Sequence, residues 1–327
     1  MKILLTGATG GLGYRTLERL VKNPAISHIV ANGRTLKKGL EINHPKVEYR
    51  LGDLADEDFV NGLVEGSAVI IHAAANSSPW GKYADFEQSN VQSLKNLVKA
   101  ISTHRVKRFI YISSPSIYTT SGDLLNIKVT DPLPKKFINN YARTKFEAEE
   151  LLRQSDMPYI ILRPRALIGR GDRVIMPRLI KAQESGRLRI IGSGKNMVDM
   201  TALENVAQAI ELSIFAEPIA LNKTYNISNG EPVLLWEAIE MVLKKLGHSL
   251  NRKKISYPIA KLMAQLMEFR SKMTNFKEPT LTIYGVKTLA KSFTMDISAA
   301  KTYLHYAPEV SIEAAIDEFV TWYLEQQ

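Results

Sequence analysis

The chain contains no cysteine among its 327 residues, which excludes disulfides, thiolate metal sites and a cysteine nucleophile. Histidine is scarce. The six, at 28, 44, 72, 104, 248 and 305, form no HxxxH or HxH pair, so no metal centre is expected. No apolar run approaches the roughly 20 residues that span a bilayer, and glycine breaks the short run in MKILLTGATG before it could serve as a signal-peptide core. Aromatic-rich RNA signatures and recognition motifs are absent too, so nucleic acid is not the expected partner despite a formal charge of +10. A cytoplasmic protein of ordinary composition is left, 45% hydrophobic and 23% charged. Its length exceeds the usual single core, which predicts one large domain with a smaller attached lobe.

The first half alternates short apolar runs with helical patterns, as a parallel sheet with crossover helices does. Strands are expected at 2–7, 28–33, 47–52, 68–73, 108–113, 159–164 and 223–228, with helices near 11–22, 55–64, 84–104, 141–154 and 203–215. Seven strands with right-handed crossovers give an α/β, Rossmann-type doubly wound sheet. Residues 1–165 plus 203–228 are assigned to this dinucleotide-binding domain. Residues 166–202 plus 229–327 are assigned to a smaller, mostly helical substrate lobe over the strand ends.

TGATGGLG, residues 6 to 13, joins the first strand to the first helix. Gly7, Gly10 and Gly13 there match TGxxGxxG, in which glycines allow a tight turn and let the backbone approach a pyrophosphate. An NAD site places an acid at the end of the second strand to hold the ribose hydroxyls. ANGRTLKK instead has Gly33 there, followed by Arg34, Lys37 and Lys38. Cations in this position fit the 2′-phosphate of NADP(H), with NAD(H) the alternative. Asp53 and Leu54 end the third strand, where an adenine would lie.

RFIYISSPSIY carries Ser113, Ser114 and Ser116 to the carboxyl end of the fifth strand, and NNYARTKFEAEE opens the next helix with Tyr141 and Lys145. Residues four apart are neighbours on a helix, so YxxxK reads either as a phenol beside an ammonium or as a solvated turn with Lys145 paired to Glu149. A nearby ammonium would lower the phenol's pKa toward a value useful for proton transfer.

TGxxGxxG, the serine-rich strand end and YxxxK, in this order, resemble the extended short-chain dehydrogenase/reductases over essentially the whole chain. The resemblance implies that Tyr141 donates a proton to a carbonyl oxygen, Ser114 holds that oxygen, and Lys145 binds the nicotinamide ribose. Asn90 matches a helix asparagine that supports such sites, or else is a packing amide. Cofactor contacts would extend to Thr9, Gly11, Leu12, Ala73, Ala74, Ala75, Arg163 and Pro164. The 3β-hydroxysteroid dehydrogenase-like branch is closer still. SPSIY, LRPRALIGRGDRVIMPRLI and GRLRIIGSGKNMVDMT are similar to 2-alkyl-3-oxoalkanoate reductases of olefin biosynthesis. Reduction of a hydrophobic, acidic β-keto substrate is thereby implied, as is a homodimer built through the helices of Asn90 and Tyr141. TALEN at 201–205 departs from the TYVDN common in relatives. Oxidation of a sterol or sterol carboxylate, nucleotide-sugar epimerisation with tightly held NAD, and nucleotide sensing without chemistry are the rival readings.

Between Lys244 and Lys291 stand 11 Lys and Arg against Glu268 and Glu278, a net charge of +9. Such a face suits an acidic substrate, an anionic membrane surface or solvent. Within it, Ile259, Leu262, Met263, Leu266 and Met267 recur at helical spacing, which predicts a stripe packed into the lobe's core or a Met-lined lid over an alkyl chain. Arg165 and Arg170, just past the sixth strand, are candidates for gripping an acidic group or for salt bridging.

Overall fold

Runs such as KILLT and RFIYI are apolar on both faces, so they are stable only where helices cover both sides of a sheet. In the computed structural model, which describes residues 1–36 and 41–327, β1 (Lys2–Thr6), β2 (His28–Gly33), β3 (Val47–Leu51), β4 (Val69–His72), β5 (Arg108–Ile112), β6 (Tyr159–Pro164) and β7 (Lys223–Ile227) form one parallel sheet. Its order is β7-β6-β5-β4-β1-β2-β3, which reverses direction between β1 and β4. Ligands of open α/β sheets bind at such a reversal, beyond the carboxyl ends of the strands.

Helices α1 (Gly11–Leu20), α2 (Glu57–Val64), α3 (Tyr83–Phe86), α4 (Ser93–Ile101), α5 (Asn140–Arg153), α6 (Met176–Glu184) and α7 (Leu203–Phe215) alternate with these strands. The C-terminal part adds α8 (Leu235–Lys245), α9 (Tyr257–Met273), α10 (Ile283–Ala290), α11 (Ser298–Leu304) and α12 (Ile312–Glu325). Side chains alternate across a strand. Ile3, Leu5, Ile71 and Ile110 therefore meet Leu17 of α1 and Val206 of α7, while Leu4, Ile70, Phe109 and Tyr111 meet Leu63, Leu97 and Leu152 on the other face.

A second core joins Ile168, Met176, Ile180, Trp236, Ile239 and Phe319. Two features depart from the expected division. Ile297, Ala300 and Leu304, on and beside α11, pack with α7 into the core of the parallel sheet. Leu124–Ile127, from the first half, forms an unanticipated strand in a four-stranded sheet with Phe293–Met295, Met197–Val198 and Val233–Leu234.

The expected core stripe of α9 is the reverse of what forms. Only Ala260, Ala264 and Ser271 of this helix are buried, and the two alanines pack in a cluster with Val286 and Ile283 of α10. Ile259, Leu262, Met263, Leu266, Phe269 and Met273 face solvent. Small side chains one turn apart let two helices approach closely, so the shallow alanine face goes inward.

Candidate active site

The turn after β1 is shaped by close backbone contacts. Gly7 has φ of +72°, and a Cβ there would lie 2.6 Å from the amide nitrogen of Ala74 at the end of β4. A Cβ on Gly13 would lie 2.0 Å from the Gly7 carbonyl oxygen, and one on Gly11 would lie 2.2 Å from that of Gly171. Gly10 differs: its nearest such neighbour is 3.4 Å away, so protein packing does not require glycine there. The N–H groups of Gly11, Leu12 and Gly13 meet no acceptor among the described residues. A bare backbone and free N–H groups at a helix N-terminus fit the pyrophosphate of a dinucleotide.

Around this turn, Ala73 N–H donates to the Thr6 carbonyl at 3.2 Å, Ala74 N–H approaches Thr6 Oγ1 at 3.4 Å, and Ala75 is exposed. Thr9 is buried against Gly33, where a Cβ would come within 2.2 Å of its Oγ1. Arg34 is exposed, with no ion pair among the described residues, whereas Lys37 and Lys38 lie outside them. Asp53 is exposed and accepts the Ala55 N–H at 3.0 Å. Leu54 packs into the core instead, its carbonyl taking the Asn96 amide at 2.9 Å.

The three serines after β5 differ in burial and in partners. Ser113 is buried and donates to Glu149 at 2.5 Å, and Ser116 is buried beneath Ser114. Ser114 is partly exposed; it caps the 3₁₀ turn Pro115–Tyr118, donates to Ser116 Oγ at 3.0 Å and faces the Tyr141 phenol. Asn139 caps α5 by accepting the Ala142 N–H at 2.8 Å, which fixes Tyr141 in its first turn. Burial pushes the Tyr141 phenol up to about 12, and the hydrogen bond to Ser114 offsets part of that rise.

The expected effect of Lys145 on that phenol is not what the chain by itself exhibits. Lys145 is 1% exposed; its ammonium donates to the Ile112 carbonyl at 2.6 Å and sits 4.2 Å from the centre of the Tyr111 ring. Burial lowers its pKa to about 7, with Glu149 opposing the fall. The solvated Lys145–Glu149 pair is likewise absent. Glu149, fully buried, takes Arg163 Nε at 2.8 Å, Arg163 Nη2 at 2.5 Å and Arg153 Nη2 at 2.7 Å. Arg163, expected near the cofactor, thus spends its guanidinium on Glu149 and on the Tyr118 hydroxyl, beside buried Pro164. YxxxK therefore stands on an ionic floor, which the helix pattern does not announce because Arg163 comes from the next strand, fourteen residues after Glu149.

Asn90 lies in a π-helical segment, Glu87–Gln92, between α3 and α4. Its amide accepts the Asn76 N–H at 2.8 Å and donates to Thr144 Oγ1 at 3.0 Å. It thereby ties the loop after β4 to the helix of Tyr141, a packing contact beside the site. A widened turn of this kind re-aims side chains at functional sites.

The two arginines past β6 part company. Arg170 bonds Glu18 at 2.6 Å and Tyr14 at 3.0 Å, well within a surface ion-pair network. Arg165 is 6% exposed and stacks 3.7 Å from the centre of Phe293, and its guanidinium makes no hydrogen bond among the described residues. Burial lowers its pKa to about 10; Tyr284 and Asp199 oppose the shift. Tyr284 of α10, which sequence reading missed, is close enough to influence both Arg165 and Tyr141. Its only local signal is the Thr282 cap that starts α10, accepting the Gly285 N–H at 2.9 Å.

The sequence profile of the NAD dependent epimerase/dehydratase family matches residues 3–228. The uncharacterized protein YbjS of Escherichia coli is 32% identical, over 98% of this chain and 97% of its own. A 2-alkyl-3-oxoalkanoate reductase of Stenotrophomonas maltophilia is 31% identical over 97% of each. A decarboxylating sterol-4-alpha-carboxylate 3-dehydrogenase of Candida albicans is 29% identical, covering 98% of this chain and 97% of that one. In structure, the UDP-glucuronic acid 4-epimerase of Bacillus cereus, solved with NAD, superposes with a TM-score of 0.78 at 23% identity over 100% of this chain and 99% of that one, which bears on fold. The chain belongs to the NAD dependent epimerase/dehydratase family and is an NAD(P)-dependent oxidoreductase of the extended short-chain type.

Proposed function

We propose that this enzyme interconverts a ketone and a secondary alcohol with NADP(H), on a hydrophobic substrate that carries a carboxylate. The observation that carries the substrate reading is Arg165, a buried guanidinium without a hydrogen bond among the described residues, just past β6 and beside the end of β5 that delivers Ser114. A buried cation with free donors is costly until an anion meets it. Two relatives are named for substrates bearing a carboxylate, an oxoalkanoate and a sterol carboxylate, in keeping with that chemistry. For the cofactor, Gly33 against Thr9 leaves no room for an acid, and exposed Arg34 offers a fork for a 2′-phosphate.

When bound, the dinucleotide supplies or accepts the hydride. This chain's residues do the rest. The bare turn at Gly10 and the N–H groups of Gly11 to Gly13 would hold the pyrophosphate. Ser114 donates a hydrogen bond to the carbonyl oxygen and polarises it. Tyr141 gives that oxygen its phenolic proton during reduction and takes it back in the reverse direction. Burial raises its pKa to about 12, so the phenol carries its proton at neutral pH but is a weaker acid than a free tyrosine, and efficient transfer needs positive charge beside the developing phenolate. Lys145, locked on the Ile112 carbonyl, orients this side of the cleft. Asp53, past β3, would meet the adenine, and Ala73 to Ala75, past β4, would contact the dinucleotide.

The test follows NADPH and NADH oxidation with β-keto acids, 3-ketosteroids and UDP-sugars. NADPH consumption with a keto acid is expected, and Tyr141→Phe should lower turnover about 10³-fold while leaving cofactor affinity nearly unchanged. Unchanged turnover would remove Tyr141 from the mechanism. Interconversion of UDP-sugars without net cofactor consumption would replace the reading by epimerisation.

A further inference from the structure

Among the described residues, six of the fifteen exposed large apolar side chains lie on the single helix α9: Ile259, Leu262, Met263, Leu266, Phe269 and Met273, each 40 to 74% exposed. At 100° per residue they fall within one continuous arc, with Arg270 inside it. The fold does not use this arc, because α9 is already packed on α10 through Ala260 and Ala264. Nor is α9 loosely attached. Trp80 donates its indole N–H to Ser271 at 2.7 Å, and Phe276 stacks on Trp80 with ring centres 6.1 Å apart.

Charge identifies the occupant. The surrounding segment carries the net +9, and its two acids are spoken for: Glu268 accepts the Ile283 N–H at 2.7 Å, and Glu278 pairs with Arg178 at 3.3 Å. Arg270, Lys272 and Lys277 remain exposed around the arc. A second copy laid on this face would set one cationic segment against another, whereas an anionic surface complements both the rim and the stripe. No helix among the described residues is long and apolar enough to cross a membrane.

We infer that the outward face of α9 docks in the interfacial plane of a membrane rich in anionic lipid, its apolar arc entering the acyl boundary while the cations meet headgroups. Docking of this kind needs no rearrangement, since the face is preformed. It would place α10, packed on the inward face of α9, one helix away from the layer in which hydrophobic molecules partition. The inference is independent of the reaction proposed above.

Sedimentation of the full chain with vesicles tests it, comparing phosphatidylcholine alone with phosphatidylcholine containing about one-third phosphatidylglycerol. Binding should be at least about tenfold tighter to the anionic vesicles. The triple variant Leu266→Ser, Phe269→Ser, Met273→Ser should lose about tenfold or more of that binding. Its melting temperature and dinucleotide binding should not move, since these side chains are in solvent. The double variant Arg270→Glu, Lys272→Glu should abolish the preference for anionic lipid. Absence of vesicle binding, or a triple variant that binds like the parent, would overturn the inference. So would a triple variant that converts a dimer to a monomer in sedimentation velocity, for then the stripe joins copies of the chain.

Discussion

Arg163 and Arg165 leave the same strand end two residues apart, and both are buried, yet their guanidinium groups meet opposite surroundings. Arg163 is held twice by Glu149, whereas Arg165 lies flat on Phe293 and bonds nothing among the described residues. The same contrast runs through the whole site. Below Tyr141 the polar groups of Ser113, Glu149, Arg153 and Arg163 satisfy one another, whereas Arg165 has no hydrogen-bonded partner among the described residues, only the nearby charge of Asp199. Burial alone therefore says little about a charge; what distinguishes scaffold from site is whether the protein supplies its partner.

Removing Glu149 should break this comparison most severely. Glu149→Ala leaves Arg163 buried without its anion, and a loss of about 3 to 5 kcal/mol in urea unfolding is expected. Arg165→Met should cost less, about 1 to 2 kcal/mol from the lost stacking on Phe293, because no hydrogen-bonded ion pair is broken. On activity the order reverses. Arg165→Met should lower kcat/KM for a carboxylated ketone by about a hundredfold, the value of a charged hydrogen-bonded contact, and should leave its neutral ester much less affected. Equal losses on acid and ester would deny Arg165 its anion.

A smaller effect separates Lys145 from both arginines. Its pKa falls from the ordinary 10.5 to about 7 in the folded chain because of burial. Between these values the unfolded chain binds more protons, so this group makes folding stability rise with pH across that window and costs most below it. Relative to Lys145→Met, the parent should gain about 2 kcal/mol between pH 7 and pH 9, read from urea midpoints. A flat difference would mean that Lys145 keeps its proton. The smallest change is expected at the cofactor end, where Arg34→Ser should reduce the preference for NADPH over NADH by about tenfold. Equal rates with both cofactors in the parent would refute the reading of Arg34.

The parallel sheet was legible because its central strands are runs that only two-sided burial tolerates, and the Gly-rich turn and YxxxK stand at fixed places relative to them. Other features were hidden for physical reasons. Periodicity reveals that α9 has an apolar stripe but not that Ala260 and Ala264, being small, win the inward face. Strand alternation treats Arg163 and Arg165 alike, since their parity is the same; only the distant Glu149 and Phe293 tell them apart. Leu124–Ile127 is too short and too mixed to be read as a strand without its partner Phe293–Met295. Tyr284 acts on Arg165 and Tyr141 from α10, more than a hundred residues away in the chain, which no local motif encodes.

The contact between Gly33 and Thr9 carries a consequence for how such an enzyme could change its coenzyme. An acid at position 33 needs a Cβ, and Thr9 Oγ1 and Cγ2 stand 2.2 and 2.6 Å from where it would be. Gly33→Asp by itself should therefore disturb the phosphate turn before it selects NAD. The switch is open only along a path that first trims position 9, as in Thr9→Gly followed by Gly33→Asp, so the order of two substitutions, rather than either one, governs which coenzyme a descendant of this chain could adopt.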